Sequence, residues 1–332
     1  YQDLLQDAHD EALFAHYGTS RLALVDAATR RVEPVGAASL WRSVEPSPDG
    51  SLLLATRIER PFSYAVPFSS FPSTTVLLSL DGVERRVLAR QPLLETVPIG
   101  GVPTGPRGFA WIDVLPHALT WVEALDGGDP RAEVEARDRV LVLREPDGEP
   151  KPWFTTEHRA AGIGYCGDER TALATEFDRK TRRQRVWRFD ATATDTPGRL
   201  LYERSTQDVY GDPGRPVAER LPDGRSLLCW RDGSLFLSGS GASPDGDRPF
   251  LDRWQLDGDV KERWFQAAAD RYETFVGFLD ADGTQLLVRS ESPTEPPSLV
   301  VVDRAAGTRR TLLRLPDPAQ EAIAGVEKRL LR

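Results

Sequence analysis

The chain has no methionine and only two cysteines in 332 residues. Cys166 and Cys229 lack C-x-x-C spacing and sit in apolar runs, GIGYCG and SLLCW. Thiols in such runs act as small buried hydrophobes, so neither a disulfide framework nor a metal site is expected of them. No apolar run approaches the roughly 20 residues that a membrane-spanning helix requires, so no membrane partner is expected. An excess of basic charge is missing as well: 42 Lys and Arg face 51 Asp and Glu, for a net charge of −9. A nucleic-acid binder needs a basic stripe to neutralise phosphates, so none is expected as a partner. The chain opens at Tyr1 in a polar stretch with no signal-peptide pattern, which leads to the expectation of an internal segment of a longer polypeptide.

What is present in quantity is turn chemistry, 27 glycines and 26 prolines, on a background that is 40% hydrophobic. The turns recur. An alternating strand, an acidic Gly turn and an apolar strand appear as SVEPSPDGSLLLATR (43–57), AERLPDGRSLLCW (218–230) and VGFLDADGTQLLVRS (276–290). GIGYCGDERTALATEF (162–177) is a degenerate copy, and FAWIDVLPHALTWVEA (109–124) has the same two strands around Pro116 and His117. Asp-Gly favours such turns because Gly accepts positive φ and Asp bonds its own backbone. Each first hairpin is followed by a second, as in TVLLSLDGVERRVLA (75–89), RVLVLREPDGEPKPWF (139–154) and FLDRWQLDGDVKERWF (250–265).

Two hairpins per unit of roughly 45–60 residues make a four-stranded propeller blade. The fold class expected is therefore all-β, a β-propeller of four-stranded antiparallel blades. Five complete blades start near Trp41, Gly105, Ala161, Pro216 and Tyr272, and half a blade at 21–36 precedes them. Residues 1–17 read as a short amphipathic helix with Leu4, Leu5, Ala8, Ala12 and Leu13 on one face. The expected organisation is a helical segment over 1–20 and propeller blades over 21–332. His9 and His16, seven apart on that helix, read as part of a solvated face.

Turns inside hairpins are short, but the connections 57–72, 123–137, 238–250 and 290–298 and the joins 92–107 and 205–217 are long. In a four-stranded blade both kinds emerge on one face, and loops on a rigid scaffold are where binding concentrates. The candidate substrate-binding residues are Arg57, Arg60, Tyr64, Arg107, Glu123, Asp126, Arg248 and Glu291, with Phe62 and Asp129 beside them. A guanidinium fork donates two parallel hydrogen bonds, which suits a carboxylate ligand.

At these loops the sequence resembles the prolyl oligopeptidase superfamily of serine peptidases, and within it the glutamyl endopeptidase-like subgroup. The matching stretches include YQDLLQDAHDEALF (1–14), RPFSYAVPFSSFP (60–72), VPIGGVPTGPR (97–107), WVEALDGGDP (121–130), YGDPGRPV (210–217) and GSGASPDGDRPFLDR (239–253). They run in order over nearly the whole chain. The resemblance implies a propeller that serves an α/β-hydrolase domain in the same polypeptide, with a peptide substrate cut beside acidic residues and no cofactor.

The G-x-S-x-G elbow that carries the nucleophile of such a domain is not in this sequence. Its nearest string, Gly241-Ala242-Ser243-Pro244-Asp245, has no closing glycine. His117 and His158 lie in or near blade strands, so no catalytic triad residue is assigned. The expected role is a non-catalytic propeller portion that gates and positions peptide substrate. A free-standing propeller acting as a protein-binding platform is the alternative, since fold alone does not fix function.

Overall fold

The structure, a computed structural model, describes residues 4–293 and 295–316. These form two compact units, Tyr1–Tyr165 with Glu169–Glu203, and Cys166–Asp168 with Arg204–Arg332. Among the described residues the fold is all-β apart from one α-helix and a single 3-10 turn at Phe68–Ser70, and its four-stranded sheets are propeller blades in sequence order.

In the first unit, α1 (Ala8–Gly18) precedes a two-stranded half-blade, β1 (Ser20–Val25) and β2 (Val32–Ser39). The first blade is β3 (Trp41–Pro46), β4 (Leu52–Ile58), β5 (Ser73–Ser79) and β6 (Glu84–Gln91). The second is β7 (Arg107–Trp111), β8 (Leu119–Ala124), β9 (Asp138–Leu143) and β10 (Lys151–Thr156). The third is β11 (Arg159–Tyr165), β12 (Thr171–Asp178), β13 (Arg183–Asp190) and β14 (Arg199–Ser205). Each blade is an antiparallel sheet in which neighbours in sequence are neighbours in space.

Strand periodicity explains how the first blade packs on both faces, because successive side chains of a strand alternate sides. Leu52, Leu54 and Leu77 join Trp111, Leu119, Trp121, Leu141 and Leu143 of the second blade in one core. The intervening residues Leu53, Ala55, Val76 and Leu78 pack with Val35 of the half-blade. Each fully buried leucine contributes roughly 1.5–3 kcal/mol, against at most about 1 kcal/mol for an exposed ion pair, so these seams dominate cohesion. Backbone approach is equally close where Gly82 (φ +83°) meets the half-blade: a Cβ there would lie 2.2 Å from the nitrogen of Gly36.

The second unit holds the fourth and fifth blades. In the fourth, the inner strand is broken into β15 (Arg215–Pro216) and β18 (Trp230–Arg231). Between them an inserted hairpin, β16 (Ala218–Arg220) and β17 (Ser226–Leu228), forms its own two-stranded sheet. Both inner pieces pair with β19 (Ser234–Gly239), which is followed by β20 (Phe250–Gln255) and β21 (Val260–Gln266). The fifth blade is regular: β22 (Tyr272–Phe278), β23 (Gln285–Glu291), β24 (Ser298–Asp303) and β25 (Thr308–Arg314). Phe236, Leu251 and Phe265 of the fourth blade share a core with Leu286, Val288 and Val300 of the fifth.

Three details differ from the sequence reading. The helix starts at Ala8, because the Asp7 carboxylate accepts from the His9 and Asp10 amides and caps it there; Leu4 and Leu5 precede it, and residues 1–3 lie outside the described residues. In the fourth blade, the stretch 218–230 read as the inner hairpin is instead the insertion, and the second strand is Ser234–Gly239. In the third blade, the second-to-third connection is a tight turn at 179–182, while the longer loop, 191–198, joins the last two strands. The cysteines are as read: both are buried and neither forms a disulfide, and burial pushes the Cys229 thiol up to about 12.

His117 ties the first blade to the second. Its Nδ1 lies 3.1 Å from Asp49 Oδ2 and its Nε2 3.1 Å from Glu145 Oε2. The bond to Asp49, opposed by partial burial and aided by Glu145, raises its pKa above the ordinary histidine value. A group raised on folding contributes its full stabilisation below the unfolded pKa and loses it as pH rises through the folded one. The imidazole should therefore titrate above about 6.5 in a ring-proton NMR titration. His117→Gln should flatten the decline of stability between about pH 6.5 and that midpoint. A midpoint at or below the ordinary value would show that the two carboxylates do not hold the proton.

Candidate functional site

Four arginines are candidates for receiving a carboxylate, and the structure separates them by what already neutralises them. Arg57, at the end of β4, reaches Glu59 and Glu84, each at 2.9 Å. Arg60 pairs with Glu11 of α1 and lies over the Phe62 ring, its guanidinium carbon 4.5 Å from the centroid. The hydroxyl of Tyr64 donates to the other oxygen of Glu11 at 3.0 Å. Phe62 in turn stacks on Phe71 and meets Phe14 edge-on at 5.1 Å. These residues form the seat of the helix on the first blade. An aromatic anchor with a charged rim has the same composition as a ligand platform, and only the position of α1 tells them apart.

Arg107 and Asp126 belong to a buried ion cluster of the second and third blades. Arg107 donates to Asp138 at 2.6 Å, and Arg159 bridges Asp138 at 2.8 Å and Asp126 at 2.6 Å. Arg137 and the Gly128 amide complete Asp126, each at 2.9 Å. Burial opposes ionisation of Asp126, but Arg159 and Arg137 outweigh it and hold its carboxyl below the ordinary range. Neither Asp126 nor Asp138 exposes any of its side chain. Glu123 accepts from Arg139 at 2.8 Å, Asp129 from Arg131 at 2.9 Å, and Glu291 from both Nη groups of Arg289.

Arg248 alone of the four makes no ion pair among the described residues. It sits at the base of the loop between β19 and β20, in the second unit. Its Nε and Nη2 both donate to the Ala267 carbonyl, at 3.1 and 3.0 Å, which fixes the plane of the guanidinium while leaving its charge uncompensated. The loop is clamped at that point, with the Arg248 amide donating to Gly241 O at 3.0 Å. Gly241 is required there: its φ is +60°, and a Cβ would meet the Arg248 oxygen at 2.0 Å.

Around Arg248 lies a cleft of about 430 Å³ lined by Tyr210, Asp212, Ser243, Phe250 and Arg263 among others. Its other charges are mostly matched: Asp212 with Arg204 at 2.9 Å, and Asp252 with Arg263, which itself covers the Phe250 ring. Asp245 stands on the exposed turn tip of the same loop, its amide donating to the Ser243 hydroxyl at 3.2 Å while its carboxylate makes no ion pair among the described residues. A guanidinium held in one plane without an ion pair, beside an open cleft, has the chemistry to receive a carboxylate. Sequence reasoning named Arg248 but ranked it with the others, because ion-pair partners far along the chain are invisible to it. No group of three or more His, Cys, Asp or Glu residues suited to a metal ion occurs among the described residues.

No protein-family model matches the chain. It is 37% identical over 314 residues to a probable chloroplastic glutamyl endopeptidase of Oryza sativa subsp. japonica, covering 89% of this chain and 33% of that protein. The corresponding protein of Arabidopsis thaliana is 35% identical over 315 residues, covering 89% of this chain and 32% of the relative. The chain thus spans about a third of the length of the curated relatives it matches. Among solved structures, an acylaminoacyl peptidase in complex with Z-Gly-Gly-Phe-chloromethyl ketone aligns with a TM-score of 0.46 at 16% identity, over 94% of this chain and 44% of that one. The resemblance carried by the loop sequences is borne out: the chain is a peptidase-related β-propeller, similar to the probable glutamyl endopeptidases over the third of their length that it spans.

Proposed function

We propose that the chain is the non-catalytic propeller portion of a serine endopeptidase. It gates access of peptides and positions them for an α/β-hydrolase domain elsewhere in the same polypeptide. The observation that carries this reading is the homology to proteins named glutamyl endopeptidase along almost the entire chain. The acyl-transfer chemistry would belong to the hydrolase domain. The propeller would supply a rigid scaffold whose loops select and hold substrate.

Within that role Arg248 is the residue best suited to an acidic side chain of the peptide. A carboxylate could take both its Nη groups without displacing the Ala267 carbonyl from Nε. A charge-assisted hydrogen bond of this kind contributes about 1.5 kcal/mol in a partly solvated cleft, or roughly tenfold in binding.

Two measurements test the proposal. The polypeptide that contains this segment, carried through to the end of its reading frame, should label with a serine-directed fluorophosphonate and cleave Glu-containing peptides. If it neither labels nor cuts anything in a peptide panel, the peptidase role is wrong. Arg248→Gln should lower kcat/KM for those peptides about tenfold and leave a neutral peptide unaffected, while Asp245→Asn should shift acidic peptides the other way. Equal losses on acidic and neutral peptides would remove Arg248 from the site.

A further inference from the structure

A second cleft, in the first unit, has a lining that ordinary blade packing does not explain. The face of the first blade that meets the second carries Leu52, Leu54 and Leu77 at one end of its strands. Along the same strands, in the same alternation, it continues as Thr56 on β4, Ser73 and Thr75 on β5, and Gln91 on β6. With Ser43 of β3 these residues line a cleft of about 350 Å³, roofed by Leu94, Pro103 and Pro106 of the join between blades and by Phe109. β7 opposite is irregular, its pairing with β8 shifting register between Arg107 and Ala110, so it does not close the gap.

Hydroxyl groups placed at a seam between sheets cost stability unless they find hydrogen-bond partners. Thr56 and Thr75 bond each other at 3.1 Å. Ser73 is only 8% exposed, and its hydroxyl has no partner among the described residues. The side chains of Ser43 and Gln91 make no hydrogen bond among the described residues either.

The charges of the cleft narrow the class of occupant. Arg107 is paired with Asp138, though its Nη1 is buried without a partner, and Arg42, held by the Ser69 carbonyl at 3.1 Å, shares the lining with one opposite charge, Glu45. The lining is thus close to neutral but dense in groups that both donate and accept. That suits an uncharged ligand with alternating donors and acceptors. A saccharide would ask for an open aromatic face to stack on, whereas Phe109, the one aromatic ring of the lining, is packed against Trp121 in the core.

We infer that this cleft is a second peptide-holding site, which takes an uncharged polar stretch of main chain and small side chains remote from the bond to be cut. The inference rests on the peptidase reading for its choice of a peptide, but it concerns a different site from Arg248. Its test needs no catalytic domain.

The full 332-residue chain is titrated with a blocked, uncharged Ser-Gln-Ser-Gly peptide and followed by amide NMR. Shifts should appear at residues 43, 56, 73, 75 and 91. Ser73→Ala, which deletes an unpartnered hydroxyl, should leave the melting temperature unchanged or higher and weaken peptide binding about fivefold. Thr75→Val should weaken it comparably. Arg248→Gln should leave it as in the parent chain. The inference is overturned by the absence of shifts at these positions, by binding of maltose or acetate there in preference to the peptide, or by unchanged affinity in Ser73→Ala. Failure of fluorophosphonate labelling would sink the peptidase reading and leave these binding outcomes to be read separately.

Discussion

Asp138→Ala should destabilise the first unit by about 3–5 kcal/mol, enough to abolish cooperative folding in many domains of this size. The carboxylate is fully buried, and three donors converge on it: Arg107, Arg159 and the Ala160 amide at 2.6, 2.8 and 2.9 Å. Removing it leaves Arg107 without its carboxylate and Arg159 with Asp126 alone, and both guanidinium groups are largely buried. Their position is worse than in most ion pairs, since Nη1 of Arg107 and Nε of Arg159 already lack partners. Deleting one member of a buried pair costs more than the pair contributes as a whole, because the survivor keeps its desolvation penalty. Asp138→Asn keeps the shape and part of the hydrogen bonding, so its loss should fall well short of the alanine variant's. Denaturant unfolding of the three proteins measures this. If alanine and asparagine are both within 1 kcal/mol of the parent, roughly the scale of an exposed pair, the cluster is solvated in solution and the inference from burial is wrong.

The blades were legible because their pattern is local. Leu52–Ala55 supplies two faces to two neighbouring seams, and Asp-Gly turns mark the hairpin ends at Gly50 and Gly283, both in the positive-φ region. Nothing beyond strand alternation and turn chemistry was needed to expect four-stranded units. What could not be read was pairing between distant residues. Arg60 and Tyr64 stand in a loop rich in prolines and aromatics, as a binding loop would, and the acceptor that claims them, Glu11, is 49 and 53 residues earlier. Arg107 finds its carboxylate 31 residues later. Charge and exposure were guessable for each of these side chains; partnership was not.

The fourth blade failed for a more specific reason. Two turn signals follow each other, Pro222-Asp223-Gly224 and Asp232-Gly233, and a blade's inner hairpin can use only one. Asp232 and Gly233 both adopt positive φ, 46° and 71°, and make the tight two-residue connection between Arg231 and Ser234. Such a turn matches the twist of paired strands and is the stronger of the two signals. The Pro-Asp-Gly turn serves the insertion, whose strands pair over only three residues each. Cys229 and Val217 then close the broken inner strand, with the Cys229 amide donating to Val217 O at 2.7 Å and the Val217 amide to Phe236 O at 2.9 Å.

Phe236 accepts at the break of the inner strand through its backbone and fills the neighbouring seam with its ring, and Phe236→Ala should cost about 3–5 kcal/mol through the ring alone. The ring is completely buried and fills the seam between the fourth and fifth blades with Leu251, Phe265, Leu286 and Val288. It meets Trp264 and Phe278 edge-on, with centroids 4.9 and 5.0 Å apart. Each of those pairs adds about 0.5–1.5 kcal/mol beyond area burial. Arg231 over Phe278 and Arg304 over Trp264 extend the stack outward, so a void at position 236 loosens cation contacts as well. Phe236→Leu refills most of the volume and should recover more than half of the loss. Hydrogen exchange gives the local readout: in the alanine variant the amides of β19 and β23 should lose protection together, since the two strands share this one seam. Loss confined to β19 would mean that the fifth blade holds its core without the fourth, and that Phe236 packs within its own blade only.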